Sequence, residues 1–227
     1  MKKLLLATGL ASLFLTSSFA AGGGDIFRSS LVVDQLEYQF SDEKATTWSA
    51  NGYAGYDINK VYIYTEGEKA KNESAQSENQ LLYSRAISPY WDAQVGIGYD
   101  KNEDFHQTWG VIGVQGLAPY FFETKASILI GDDGNIGLRA EAEYDALITQ
   151  KLILSPSIGL SAYSKSNKEM GLGSGFSNIT LGTRLRYEFT REFAPYFGVE
   201  WNKNLGNTND ISSLDDVYAV AGVKFWF

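Results

Sequence analysis

Carboxylates recur at every second residue in two stretches of this 227-residue chain: Glu66 and Glu68 in TEGEK, and Glu141, Glu143 and Asp145 in AEAEYDA. On an extended strand, successive side chains point to opposite faces, so each set shares one face. Clustered carboxylates suit hard cations and, joined by imidazole, copper(II) or zinc; carboxylates alone do not select copper. Other chemistry has little to work with. The chain has no cysteine, which removes disulfides, thiolate catalysis and zinc–cysteine sites together. Nucleophilic serine catalysis needs a base, and the single histidine, His106, falls in an expected outer loop beside Asp104 and Gln107 with no serine paired to it. GLGSG (171–175) lacks the strand-to-helix context of a phosphate loop, and GDDGN (131–135) reads as a tight hairpin turn without calcium. No catalytic residue is assigned. The formal charge of -8, with no basic patch, argues against a nucleic-acid partner.

The elements that must carry these carboxylates are strands. After residue 20 the 3.6-residue helical period is hard to find, whereas alternation by two is nearly continuous. LRAEAEYDA sets Leu138, Ala140, Ala142 and Tyr144 against Arg139, Glu141, Glu143 and Asp145. VYIYTEGE separates Tyr62, Tyr64, Glu66 and Glu68 from Val61, Ile63 and Thr65, and TLGTRLRYEF separates Arg184, Arg186 and Glu188 from Leu181, Leu185 and Tyr187. About twelve such segments follow one another, near 31–40, 47–57, 60–69, 78–87, 90–100, 107–117, 120–130, 136–146, 151–163, 177–189, 194–203 and 215–227, with lengths close to the roughly 9–11 residues of a tilted membrane strand. Short junctions alternate with longer polar ones, and Pro89, Pro119 and Pro195 fall in short junctions, where a missing N–H costs the ladder nothing.

This pattern predicts an all-β protein, a transmembrane up-and-down antiparallel β-barrel over residues 31–227, rather than a secreted sandwich. The opening MKKLLLATGLASLFLTSSFA predicts a cleaved secretory signal over 1–20, its apolar run falling short of the about 20 residues a spanning helix needs, with 21–30 as a short periplasmic segment. Trp48, Tyr56, Tyr90, Trp91, Trp109, Tyr120, Tyr196, Trp201 and Trp226 lie near strand ends and read as interfacial girdles facing outer-membrane lipid. The terminal YAVAGVKFWF must pair with the first strand, with Phe225 and Phe227 facing lipid. A terminal Phe on such a strand resembles the signal read by the outer-membrane assembly machinery.

The charged faces then line the lumen. Pairing 130 with 136 across GDDGN puts Glu123 opposite Glu143, Lys125 opposite Glu141 and Ser127 opposite Arg139, all pointing inward. On this reading Lys125 and Glu141 form a cross-strand ion pair, and Arg139, a lysine, water or a metal relieves the Glu123–Glu143 repulsion. The expected lumen charge network comprises Asp92, Glu123, Lys125, Arg139, Arg184, Arg186 and Glu188. The lumen either fills with this network or offers a cation a path.

Several stretches together, VDQLEYQ (33–39), EGE (66–68), LLYSRAISPYWDAQVGIGYD (81–100), GVQGLAPYFFE (113–123), GDDGN, LRAEAEYDALITQKLIL (138–154), GLGSGFS (171–177) and LRYEFTREFAPYFGVEW (185–201), resemble in order the copper resistance protein B family of bacterial outer membranes. The resemblance implies an outer-membrane protein, not an enzyme, that binds copper ions or helps export them from the periplasm, with a periplasmic copper-binding protein as a partner. It points to Glu66, Glu68, Glu141, Glu143 and Asp145 as the metal residues. The Met- and His-rich segment that often precedes the barrel in this family is missing: only AGGGDIFRSS lies between the expected cleavage site and the first strand, and Met170 and His106 are the only Met and His after residue 20. A passive channel or structural barrel, and then an outer-membrane hydrolase, are the other readings.

Overall fold

The computed structural model describes residues 26–41, 44–71, 74–102 and 105–227. The expected signal over 1–20, the first half of the 21–30 segment and Asp104 lie outside these. The alternating segments form β1 (Arg28–Gln39), β2 (Thr46–Gly55), β3 (Asn59–Lys69), β4 (Gln76–Ser88), β5 (Trp91–Asn102), β6 (Phe105–Ala118) and β7 (Phe122–Gly131). There follow β8 (Ile136–Glu143), β9 (Ala146–Leu147), β10 (Leu152–Tyr163), β11 (Gly175–Tyr187), β12 (Phe193–Asn204), a short helix α1 (Gly206–Ile211) and β13 (Asp215–Trp226). β1 thus opens at Arg28, inside the segment expected to precede the barrel.

Neighbouring strands pair antiparallel, β10 joins β11, and β13 pairs back onto β1. The seam is sealed at its end by Leu31 N–H donating to Phe227 O (3.1 Å) and Phe227 N–H donating to Leu31 O (2.8 Å). β8 and β9 are two pieces of one stave, both paired with β10, so the closed barrel has twelve staves. The sequence pattern suggested one unbroken strand there. The interruption falls where Tyr144 faces Pro156: Tyr144 N–H donates to Pro156 O (3.0 Å), but proline has no N–H to return the bond.

Alternation sorts the side chains as expected. Outward Ile63, Val95, Ile97, Ile112, Ile128 and Phe197 remain 48–64% exposed, a lipid belt in the middle of the wall. Aromatic pairs flank it, Tyr38–Phe40 at one rim and Phe27–Tyr56, Tyr187–Phe189 and Phe225–Phe227 at the other. On the outer wall Trp48 lies across Gly67 and Trp91 across Gly116, where an added Cβ would come within 2.2 and 2.8 Å of the rings. Two expected girdle residues belong elsewhere: Trp109 and Tyr196 are buried inside the barrel. A closed barrel with an apolar outer band is the architecture of an outer-membrane protein, and the rim where β1 begins and β13 ends is its periplasmic side. The longest connections, 164–174 and 205–214, lie on the opposite, outer rim.

An inward-only role for charge follows directly. Ile112→Arg, in the middle of the lipid belt, is expected to destabilise the barrel by about 2–4 kcal/mol, read from urea unfolding in phospholipid vesicles.

Candidate functional site

The strand register places Glu123 opposite Glu143, Lys125 opposite Glu141 and Ser127 opposite Arg139, as the GDDGN hairpin implied. That hairpin is tight, with Gly134 at φ +72° and Asn135 clamping the 164–174 loop through Lys165 N–H and Ser164 Oγ. The ion pairs of Lys125 and Arg139, however, run across the lumen and not to their register partners. Lys125 Nζ lies 3.8 Å from Glu66 Oε1 on β3. Arg139 turns away from Glu123 and Glu143: it ion-pairs with Glu78, donates to Asp100 Oδ2 (2.6 Å) and donates through Nε to Tyr163 Oη (3.0 Å). The reason is reach. Inside a barrel, a long cationic side chain meets strands from the opposite wall, whose level is set by shear and tilt rather than by the local ladder.

These contacts close the outer half of the lumen. Asp100 also accepts from Trp109 Nε1–H (2.7 Å). Trp109, Leu82, Val111 and Leu129 are at most 1% exposed and pack with Tyr62, Tyr64 and Tyr163 into an apolar layer inside the barrel. Alternation places these residues inward, but an apolar plug in a charged lumen was not expected. On the opposite wall Arg184 donates through Nε and Nη2 to both Glu37 oxygens (3.0 and 2.9 Å) and through Nη2 to Glu200 (2.6 Å). Tyr196 Oη–H donates to Glu37 and Tyr218 Oη–H to Glu200.

Below the plug a cavity of about 670 Å3 occupies the periplasmic half. Its walls come from β1, β2, β3, β6, β7, β8, β10, β11, β12 and β13, and it narrows at Tyr64, Glu66, Lys125 and Glu141 into a void of about 10 Å3 beneath Arg139. Six carboxylates line it, Asp34, Glu66, Glu123, Glu141, Glu143 and Glu200, against four cations, Lys125, Arg184, Arg186 and Lys224. Lys224 pairs with Asp34 (2.8 Å), which sits at a bulge in β1 and accepts from Asn51. Toward the mouth Arg186 holds Asp145 (2.7 Å) and reaches Glu188 (3.9 Å), while Ser155 donates to Asp145. Lys60 and Ser84 hold Asp92. Among the described residues, Glu123, Glu141 and Glu143 form no ion pair.

The five residues singled out for metal are thus partly brought together. Glu66 and Glu141 flank the constriction, Glu143 lies in the same cavity wall, Asp145 is neutralised at the mouth, and Glu68 lies one inward step above Glu66. Among the described residues no three His, Cys, Asp or Glu side chains are grouped to hold one ion. Sequence reasoning passed over Asp34, Glu37, Glu78 and Asp100; Glu78 and Asp100 follow the inward parity of their strands, whereas Asp34 and Glu37, three residues apart, both turn inward because of the bulge in β1. His106 lies on β6 rather than in a loop, exposed and stacked on Tyr99 (5.7 Å). Met170 is in the 164–174 loop, where its carbonyl accepts from Asn102.

Comparison with known proteins adds the family. The family described as "Copper resistance protein B precursor (CopB)" matches residues 27–227. "Copper resistance protein B" of Escherichia coli is 39% identical over 203 residues, 87% of this chain and 69% of that protein. A "Copper resistance protein B homolog" of Pseudomonas syringae pv. tomato is 39% identical over 205 residues, 88% of this chain and 70% of that protein. Two solved barrels share the fold at 12% identity: KdgM porin (TM-score 0.55, 87% of this chain and 99% of that one) and NanC porin (TM-score 0.58, 86% and 98%).

Removing the arginine that spans the lumen tests the plug. Arg139→Ala leaves the buried Asp100 without its cation and takes from Glu78 its partner, and is expected to cost about 3–5 kcal/mol of unfolding free energy, whereas Asp57→Ala, which breaks an exposed rim pair with Arg28, costs about 0–1 kcal/mol. Heat-modified gel mobility and urea titration in detergent read both.

Proposed function

The chain belongs to the copper resistance protein B family, and on that premise we propose that it serves copper tolerance by taking copper ions from the periplasm into the acidic vestibule of its outer-membrane barrel. The observation that carries this reading is the cavity itself: it lies in the periplasmic half of the barrel, narrows toward Arg139 and carries more carboxylates than cations. In this reading copper is cargo and not a resident cofactor. The oxygen donors Glu66, Glu68, Glu141 and Glu143, with Asp145 nearer the mouth, attract and hold a cation transiently, and they lack the sulfur or imidazole that would select copper. Selection then falls to what delivers the ion, a periplasmic copper-binding protein meeting the vestibule mouth. The packed outer half counts against a passive pore. Export by the 1–20 signal and insertion through the assembly machinery, with the outward, 75% exposed Phe227 as its mark, complete the proposal.

The test is copper tolerance of a strain lacking the protein, complemented by the native chain or by one with Glu66, Glu68, Glu141 and Glu143 all changed to Gln, with insertion verified for both. Tolerance is expected to fall on deletion and to return with the native chain alone. Tolerance unchanged by deletion would overturn the copper role, and full rescue by the Gln variant would remove it from these carboxylates.

A further inference from the structure

At the inner end of the vestibule, the ammonium of Lys125 is held as a bound ion would be. Its Nζ lies 3.8 Å from Glu66 Oε1 and 4.1 Å from the centroid of the Tyr64 ring, on the electron-rich face that attracts cations. The ring is fixed in that attitude, because Tyr64 Oη donates to Gln115 Oε1 and accepts from Gln94 Nε2 (3.0 Å). Glu141, the register partner of Lys125, lines the same space. The void there, about 10 Å3, has room for one water-sized body.

A separate feature points to a ligand. Gln80 lines this void, is only 9% exposed, and its side-chain oxygen is buried with no hydrogen-bond partner. A buried amide oxygen left without a partner is costly and marks a place for a donor or a cation. The lumen cations also differ in how firmly they are fixed. Arg139 and Arg184 are each locked by several hydrogen bonds at 2.6–3.0 Å. Lys125, a compact charge on a flexible four-carbon stem, meets its carboxylate at 3.8 Å and is able to swing aside.

We propose that this is a cation site filled by the protein's own tethered ammonium: Lys125 occupies it until a cargo cation displaces it, with Glu66, Glu141 and the Gln80 oxygen as ligands. The site is hard and oxygen-based, so removing the ammonium leaves a place for one divalent cation of the manganese or calcium type. Glu78 also lines the void but is held by Arg139, which leaves two carboxylates, Glu66 and Glu141, for the cation. The inference deepens the reading of the lumen as a cation route, but its test uses no copper and can fail on its own.

The experiment titrates Mn2+ alone into the purified full-length barrel in detergent micelles, with free Mn2+ read by electron paramagnetic resonance. The native chain and Lys125→Arg are expected to bind Mn2+ only weakly, since the tethered cation must first be displaced. Lys125→Met is expected to bind one Mn2+ per chain at least about tenfold more tightly than the native chain, a difference of about 1.4 kcal/mol, and adding Glu66→Gln to it is expected to abolish that site. Heat-modified mobility confirms folding of each variant, and Lys125→Gln repeats the test if the methionine variant does not fold. A folded Lys125→Met or Lys125→Gln barrel that binds Mn2+ no better than the native chain overturns the proposal, as does a gained site that survives Glu66→Gln.

Discussion

In hydrocarbon, a backbone N–H or C=O without a partner costs several kcal/mol, so a sheet can cross a membrane only if its last strand hydrogen-bonds to its first. The pairing of β13 with β1, carried to the terminal residue by the two bonds between Leu31 and Phe227, meets that constraint. Everything else follows from the closure. A closed wall has one face in lipid and one in the lumen, and strict alternation sends Ile63 and Ile97 outward while Tyr64 and Glu66 turn inward. Charges that cannot face lipid must be neutralised across a space only a few side chains wide.

That neutralisation divides the lumen. Where an arginine can be surrounded, it is: Arg139 by Glu78, Asp100 and Tyr163, and Arg184 by Glu37 and Glu200. Removing one partner of such a buried pair is more damaging than the pair's net contribution, because the survivor is left charged in a low dielectric. The apolar layer of Trp109, Leu82, Val111 and Leu129 seals the same level. Nearer the periplasm the arrangement is looser, with Glu123, Glu141 and Glu143 facing an open cavity. Among the described residues the barrel is thus closely packed in its outer half and holds its open cavity in the periplasmic half.

Much of this could be read from the chain. Alternation fixed which residues face inward, and the GDDGN hairpin fixed the register of β7 and β8 to the residue. Strand count and closure followed from the spacing of turns. What could not be read was which cation meets which carboxylate, since Lys125 and Arg139 pair with strands far away in the ring, at levels set by tilt. Trp109 and Tyr196 were misplaced because nearness to a strand end says nothing of which face a ring takes; their parity with Val111 and Ala194, both buried, would have said so. The break between β8 and β9 had a visible cause in Pro156, whose effect depends on the residue opposite. The family, by contrast, was legible from blocks of sequence in order, and the match over residues 27–227 bears it out.

The central claim is that the lumen is a periplasm-facing vestibule stoppered at the level of Arg139. Reconstituting the native chain in planar bilayers at symmetrical salt and recording current under applied voltage tests it most directly. The account predicts insertion without steady conductance. A stable ohmic current carried by the native barrel would mean that water and ions pass the Arg139 level, and the stoppered lumen would be wrong.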